Sequence, residues 1–293
     1  MATLREVRRR IGSVTNIAQI TRAMEMVAAS RMKRAQDAIL AARPYSDELR
    51  EALSRVVAAA SEELDPLLAR RPVHRIGLVA VTTDRGLVGS LNSNAIRAVL
   101  RYVTERAVPG DDGTEIELVT IGRKGRDAFR RAGLHVAAHF PHFGTRPGFA
   151  DVTPIARLLV QDFVSGRYDE IAIAYSTFIS TLTQRPEVRT ILPVERPELA
   201  GEGRLVNDDY LFEPSPEAVL ARLLPHYVAV DIYRAVLENN ASEQSAQMIA
   251  MRNATDNAHE LIDDLTLLYN KTRQSNITRE MIEIASGANA LAG

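Results

Sequence analysis

Residues 226–286 include neither glycine nor proline, so as one helix they would run for roughly 90 Å at about 1.5 Å per residue. Helices in compact domains average only about 10 to 14 residues, and no such domain offers a side long enough to cover this one. Within the stretch, steps of four and three alternate through Leu237, Ala241, Gln244, Met248, Met251, Thr255, Ala258, Ile262, Leu265, Tyr269 and Thr272, which is heptad spacing. Ser215 before Pro216 and Glu217 supplies a cap, a first-turn proline and an early acid, which mark the helix start, and Pro225 predicts a kink soon after. The other end of the chain repeats the theme. Leu4, Val7, Ile11 and Val14 are followed by Ile17, Ile20, Met24 and Val27, then by Met32, Ala35, Ile39 and Ala42, with Pro44 the one expected kink before Ala60. Successive steps of three at Val14, Ile17 and Ile20 predict a stammer that overwinds the helix locally. An antiparallel pair covers both seams at once, whereas two helices packed separately on a globular body would leave most of each seam wet.

Between the arms the chain is heavily punctuated. Twelve of the 13 prolines lie from Pro66 to Pro225, and 13 of the 16 glycines from Gly77 to Gly203. Residues 75–83, 115–121, 170–178 and 187–194 read as strands rich in β-branched residues. Helices are expected at 93–106, ahead of Pro109 and Gly110, and at 154–165, after Thr153 and up to Gly166. Strand, helix and strand in repetition imply right-handed crossovers and a mainly parallel sheet covered on both faces. The expected fold class is therefore α/β: a long antiparallel coiled coil of N- and C-terminal helices with a central Rossmann-like parallel-sheet domain. The expected division is an N-terminal helix at 1–65, the sheet domain at 73–205 and the C-terminal helix at 214–293.

Lysine plus arginine total 36 against 37 aspartate plus glutamate, which excludes a globally basic nucleic-acid coat and an acidic solvating tail. With no cysteine there is no disulfide, thiol nucleophile or Cys-containing metal site. No stretch reaches the ~20 apolar residues of a membrane-spanning helix. The turn Asp84-Arg85-Gly86-Leu87-Val88-Gly89-Ser90 follows the first strand, where a nucleotide fold carries G-x-G-x-x-G or a P-loop; neither pattern is there, so a tight turn feeding a helix is expected. His135, His139 and His142 cluster, but on a strand the first two lie about 13 Å apart and Pro141 breaks any helix, so no metal site is expected. No G-x-S-x-G elbow or other nucleophile motif occurs. Glu243, Asp256, Asp263 and Asp264 read as solvated or ion-paired helix-surface groups. What stands out is the first arm: Arg5, Arg8, Arg9, Arg10, Arg22, Arg31, Lys33 and Arg34 against Glu6 and Glu25, an excess of six positive charges. Such a face meets phosphates or an acidic protein surface, or is plain solvated charge.

Residues 20–32 (ITRAMEMVAASRM), the turn at 82–92 (TTDRGLVGSLN) and residues 241–278 (ASEQSAQMIAMRNATDNAHELIDDLTLLYNKTRQSNIT) strongly resemble the γ subunit family of F-type ATP synthases. The resemblance implies a non-catalytic rotor shaft inside a hexamer of α and β subunits, joined below to the ε subunit and the membrane ring of c subunits. Its rotation would link proton flow to ATP synthesis at the partners, with no cofactor on this chain. Peripheral association with a bacterial plasma membrane, on the cytoplasmic side, follows from the same likeness. Motif by motif, it places Met24, Arg273, Gln274, Thr278 and Glu283 in contact with β subunits, Arg8, Arg9, Arg31, Lys33 and Arg34 on a basic shaft face, and Tyr210 and Glu213 toward the c ring. The sequence departs from the family at Val88 and Ser90, where a cysteine and a small residue are common, so no thiol chemistry carries over there. Two rival readings use the same residues: a coiled-coil nucleic-acid binder with Arg8 to Arg10 and Arg31 to Arg34 on phosphates, and a nucleotide-dependent enzyme using the 84–92 turn.

Overall fold

The computed structural model of the chain describes residues 3–59, 65–106, 113–194 and 212–292, with side chains described up to residue 288. The chain divides into two compact units, Met1–Ala28 with Met248–Gly293 and Ala29–Gln247. Two helices, α1 (Leu4–Ala59) and α5 (Pro216–Ala292), contribute a stretch to each unit, and both continue through their internal prolines, Pro44 and Pro225.

The larger unit is built on β1 (Arg75–Val81), β2 (Glu115–Ile121), β3 (Val136–Phe140), β4 (Glu170–Phe178) and β5 (Gln184–Leu192), in the order β3-β2-β1-β4-β5. β1 pairs in parallel with β2 and β4, and β2 with β3, while β5 returns antiparallel to β4. The sheet is thus mixed rather than wholly parallel. Only five residues, 179–183, join β4 to β5, enough for a hairpin but far short of the dozen or so that a parallel crossover needs. Helices α2 (Leu91–Arg106), α3 (Arg123–Arg131) and α4 (Phe149–Val164) complete the covering layers. Leu78 and Ala80 of β1 pack on one side with Val99 and Phe129 from α2 and α3. Their neighbours Val79 and Val81 pack on the other with Ile155 and Leu159 of α4, Val228 and Ile232 of α5, and Leu53 and Val56 of α1. Burial on both faces is why β1 and β4 read as unbroken apolar runs.

Several boundaries differ from expectation for local reasons. β1 ends at Val81, and Thr82 instead donates its amide to Ile121 O at 2.8 Å and accepts the Gly125 amide on Oγ1 at 3.0 Å. β5 starts at Gln184 and runs through Pro186, which an edge strand tolerates. α4 starts at Phe149, ahead of the expected proline, because the Asp151 carboxylate accepts the Gly148 amide at 2.8 Å and caps the helix there. α3 was left unassigned by periodicity, since RKGRDAFRR holds one large apolar residue, Phe129, which is fully buried. Where β2 turns into α3, Gly122 has φ 92° and an added Cβ would lie 2.2 Å from Thr82 O.

In the smaller unit the two helices run antiparallel. Thr21 Oγ1 meets Thr255 Oγ1 at 2.7 Å, and Arg252 Nε donates to Glu25 Oε1 at 3.0 Å. On α5 the heptad positions Met248, Met251, Thr255, Ala258, Ile262, Leu265, Tyr269 and Thr272 are all buried or half-buried, and Ile249, Ala250, Ala254 and Asn276 are half-buried beside them. On α1 the stammer is absent. The seam runs through Leu4, Val7, Ile11, Val14, Ala18, Thr21, Glu25 and Ala28 in unbroken steps of three and four, while Ile17, Ile20 and Val27 are 49%, 59% and 49% exposed. Hydrophobicity points to the wrong face here because from Ala18 through Thr21 and Glu25 to Ala28 the seam is small and polar. Glu25 is 5% exposed and also pairs with Arg22 at 2.8 Å. Burial alone would raise its pKa, but Arg252 and Arg22 outweigh that and hold it below the ordinary carboxylate value.

Two outcomes follow. Gly122→Ala combines strained backbone with a steric clash and is expected to lower stability by about 2 to 5 kcal/mol in chemical denaturation. Gly86→Ala, with open space around the added Cβ, serves as the near-neutral control. For Glu25, whose native pKa is depressed, the stabilisation is present above the unfolded value of about 4.3 and is lost as pH falls through the native one. Thermal melts of Glu25→Gln at descending pH are expected to show a weaker acid-side decline than the unsubstituted chain.

Candidate functional site

In a doubly wound sheet, ligands bind beyond the carboxyl ends of the strands, where the strand order reverses. Here that point lies between β1 and β4. It is filled by the chain itself. Along α5, residues 236–246 are all buried, seven of them polar or charged. Asn239 Oδ1 accepts the Ser176 amide at 3.3 Å, and Ser242 Oγ donates to Ser176 O at 2.9 Å, both at the end of β4. Ser245 Oγ donates to Thr181 O at 2.5 Å in the β4–β5 turn, and Asn240 Nδ2 to Thr145 O at 3.4 Å. Val88 and Leu91, from the turn and helix after β1, pack on Ala246. One turn of helix away, Arg189 of β5 grips Asp231 with bonds of 2.6 and 2.8 Å. The helix thus takes up backbone donors and acceptors at the carboxyl end of β4 and in the two loops beside it.

The 84–90 turn is likewise committed to its own chain. Asn92 accepts the Thr83 amide at 3.2 Å and donates to Thr83 Oγ1 at 2.8 Å, while Thr83 Oγ1 donates to Arg85 O at 2.6 Å. Asp84 Oδ1 accepts the Arg123 amide at 2.9 Å, so a carboxylate already sits at the first turn of α3, where an anion would otherwise bind. The three clustered histidines diverge. His135 lies 3.1 Å from Glu117, His139 Nδ1 is 3.2 Å from Thr120 Oγ1, and His142 Nε2 is 3.0 Å from Glu243 Oε2. Burial and the Arg126 charge push the His139 pKa down; for His142 burial also acts downward, but Glu243 and Asp84 outweigh it and push the value up. Glu243, read from sequence as a helix-surface group, is therefore buried and paired.

Those residues singled out for partner contact that are described are half-buried or exposed. In the smaller unit Met24 is half-buried beside the seam, next to exposed Met26 and Val27, whereas Arg8 and Arg9 are exposed. The antiparallel register set by Thr21 and Thr255 brings Leu4, the first residue of α1, opposite Thr272. Beyond it α5 outruns its partner, and residues 277–288 are all exposed. Arg273 and Gln274 sit at that transition, and Thr278 and Glu283 on the overhang, where Ile277, Met281, Ile282 and Ile284 are exposed as well. In the larger unit Arg31 is half-buried, Arg34 is exposed, and Lys33 pairs with Asp37 at 2.9 Å. Glu213 is exposed just before α5, and Tyr210 lies outside the described residues. The polar collar at Asn239, Asn240, Ser242, Glu243 and Ser245 went unrecognised in sequence. Its signal is a run of uncharged polar residues on every side of one helix, which solvation alone does not require.

A family described as ATP synthase matches residues 3–291. The ATP synthase gamma chain of Roseiflexus castenholzii is 49% identical over all of this chain and 99% of its own length. That of Dehalococcoides mccartyi is 47% identical over the whole of both chains, and that of Chloroflexus aurantiacus 48% over 99% of each. Among solved structures, a chain of the Euglena gracilis mitochondrial ATP synthase (OSCP/F1/c-ring, rotational state 3) shares the fold at TM-score 0.69 and 21% identity, over 98% of this chain and 94% of that one. A chain of the Tetrahymena thermophila mitochondrial ATP synthase central stalk/c-ring aligns at TM-score 0.60 and 25% identity, over 80% of this chain and 99% of that one. No helix among the described residues is long and apolar enough to cross a membrane. Matched from end to end by relatives close to half identical, a chain with this sheet and these two long helices belongs to the ATP synthase gamma-chain family.

Proposed function

We propose that this chain is the central shaft of a proton-translocating F-type ATP synthase, turning inside a ring of α and β subunits and coupling ion flow to ATP synthesis or hydrolysis at those partners. The observation that carries the reading is the smaller unit: an antiparallel pair in which α1 turns Ala18, Thr21, Glu25 and Ala28 inward while Ile17, Ile20, Met26 and Val27 stand outward, ending in an α5 overhang with its own exposed apolar residues. A coiled coil meant for water would bury those side chains first. Outward apolar groups along a stiff rod suit a sleeve of other subunits. In this reading Met24, Arg273, Gln274, Thr278 and Glu283 touch β subunits, and Arg8, Arg9, Arg31, Lys33 and Arg34 offer basic charge to acidic partner surfaces. Tyr210 and Glu213 face the c ring, the ε subunit joins below, and the assembly sits on the cytoplasmic side of a bacterial plasma membrane.

The shaft acts by biasing its partners, not by chemistry of its own. Moving a two-state partner from 1:99 to 99:1 takes about 5.5 kcal/mol of differential interaction. Exposed ion pairs supply about 0 to 1 kcal/mol each. No single arginine on the rod is sufficient, so the coupling is spread over many contacts, most of them apolar and steric.

Co-purification of tagged chain with α and β, followed by single-particle rotation driven by ATP, tests the assignment; failure to assemble, or hydrolysis without rotation, would count against it. Arg273→Ala is expected to lower coupled ATP turnover by less than about tenfold, in keeping with one contact worth up to about 1 kcal/mol. Removing α5 from Met248 onward is expected to cost far more, and equal losses from the two changes would contradict distributed coupling.

A further inference from the structure

Among the described residues the loop after β3 reaches α5 through three polar contacts, one from the Tyr233 hydroxyl to the Pro147 carbonyl at 3.4 Å and one that is ionisable on both sides. His142 Nε2 lies 3.0 Å from Glu243 Oε2, with side chains only 13% and 11% exposed, and Asn240 Nδ2 reaches the Thr145 carbonyl beside it. Among the described residues Glu243 Oε2 is buried and accepts no hydrogen bond, and the imidazole 3.0 Å away is its one charge partner. A buried carboxylate with one partner depends strongly on that partner's charge. On its far side the ring is engaged too: Nδ1 accepts the Gly144 amide at 3.1 Å, which requires Nδ1 to be unprotonated.

The two protonation states therefore hold the helix differently. Neutral His142, protonated on Nε2, keeps the Gly144 amide on Nδ1 and stands 3.0 Å from Glu243 Oε2 without a charge to offer it. The imidazolium turns the Glu243 contact into a full ion pair and gives up the Gly144 amide, which is exposed and passes to water. The charged groups acting on the ring are Glu243 from α5 and Asp84 from the turn after β1, both acidic. We propose that His142 is a proton-dependent latch fastening α5 to the loop after β3, one that tightens as the ring gains a proton. Because the native pKa is raised, the added stability is fully present below the unfolded histidine value of about 6.5 and is lost as pH climbs through the native one.

The test uses the full-length chain with ¹³C-labelled histidine, whose six rings are followed by NMR against pH, His142→Gln identifying the signal. His142 is expected to titrate above the ordinary value and to drop by about one unit, a tenfold change in proton affinity, in Glu243→Gln. Where Glu243→Gln does not fold, Asp84→Asn gives a smaller drop with the pair intact. Hydrogen exchange at residues 239–245, corrected for intrinsic chemistry, is expected to quicken several-fold between pH 6 and 8, and to lose that slope in His142→Gln. A ring titrating at or below the ordinary value, or a slope unchanged in His142→Gln, would overturn the proposal; uniform loosening at every pH would reduce His142 to simple packing.

Discussion

A polar group on a helix buried on every side must find its partner in the surrounding chain, and from 236 to 246 α5 is such a helix, with Asn240 Oδ1, Glu243 Oε2 and Gln244 Oε1 the buried side-chain atoms there that accept no hydrogen bond among the described residues. An unsatisfied buried polar group costs about 1 to 3 kcal/mol, so the polar side chains of this stretch fix where the neighbouring backbone must lie. The end of β4, the β4–β5 turn and the loop after β3 each present a carbonyl or amide at the matching height. The sheet and the helix specify one another, and the crevice that nucleotides occupy in comparable folds is closed as a result. This accounts physically for a Rossmann-like domain that carries no dinucleotide motif.

The smaller unit relies on the opposite economy. Beside its leucine, valine and methionine positions the seam uses alanine, threonine and a doubly paired glutamate from Ala18 to Ala28, leaving Ile17, Ile20, Met26 and Val27 outside. Such a rod gains less from its own burial than a leucine-rich coiled coil and keeps more surface for others to cover. Stability given up within the pair becomes available to the assembly around it.

Much of the fold was legible in the sequence, and the gaps have physical causes. The α5 seam and the strands at 115–121 and 170–178 were read residue for residue, because periodic burial leaves a periodic pattern. Periodicity along α1 follows its largest apolar groups, and Ile17, Ile20 and Val27 lie exposed beside the seam, so the expected face and the buried one differ. Phe129 alone could not announce α3. Nor could Glu243 announce its burial: in sequence, a carboxylate on a long helix looks the same whether water or His142 lies beside it. The surfaces carrying Met24 and the overhang came from family resemblance, and no spacing rule would have found them.

Paired threonines and a caged glutamate in the smaller unit also restrict how the two helices can move along each other. Sliding one helix by a single heptad would set Thr21 against Ile262 and Glu25 against His259, trading matched polar partners for mismatched ones. Polar groups at single seam positions are known to fix alignment in this way. The pair is thereby keyed against axial slip, each polar partner serving as a tooth that meets its match in one alignment.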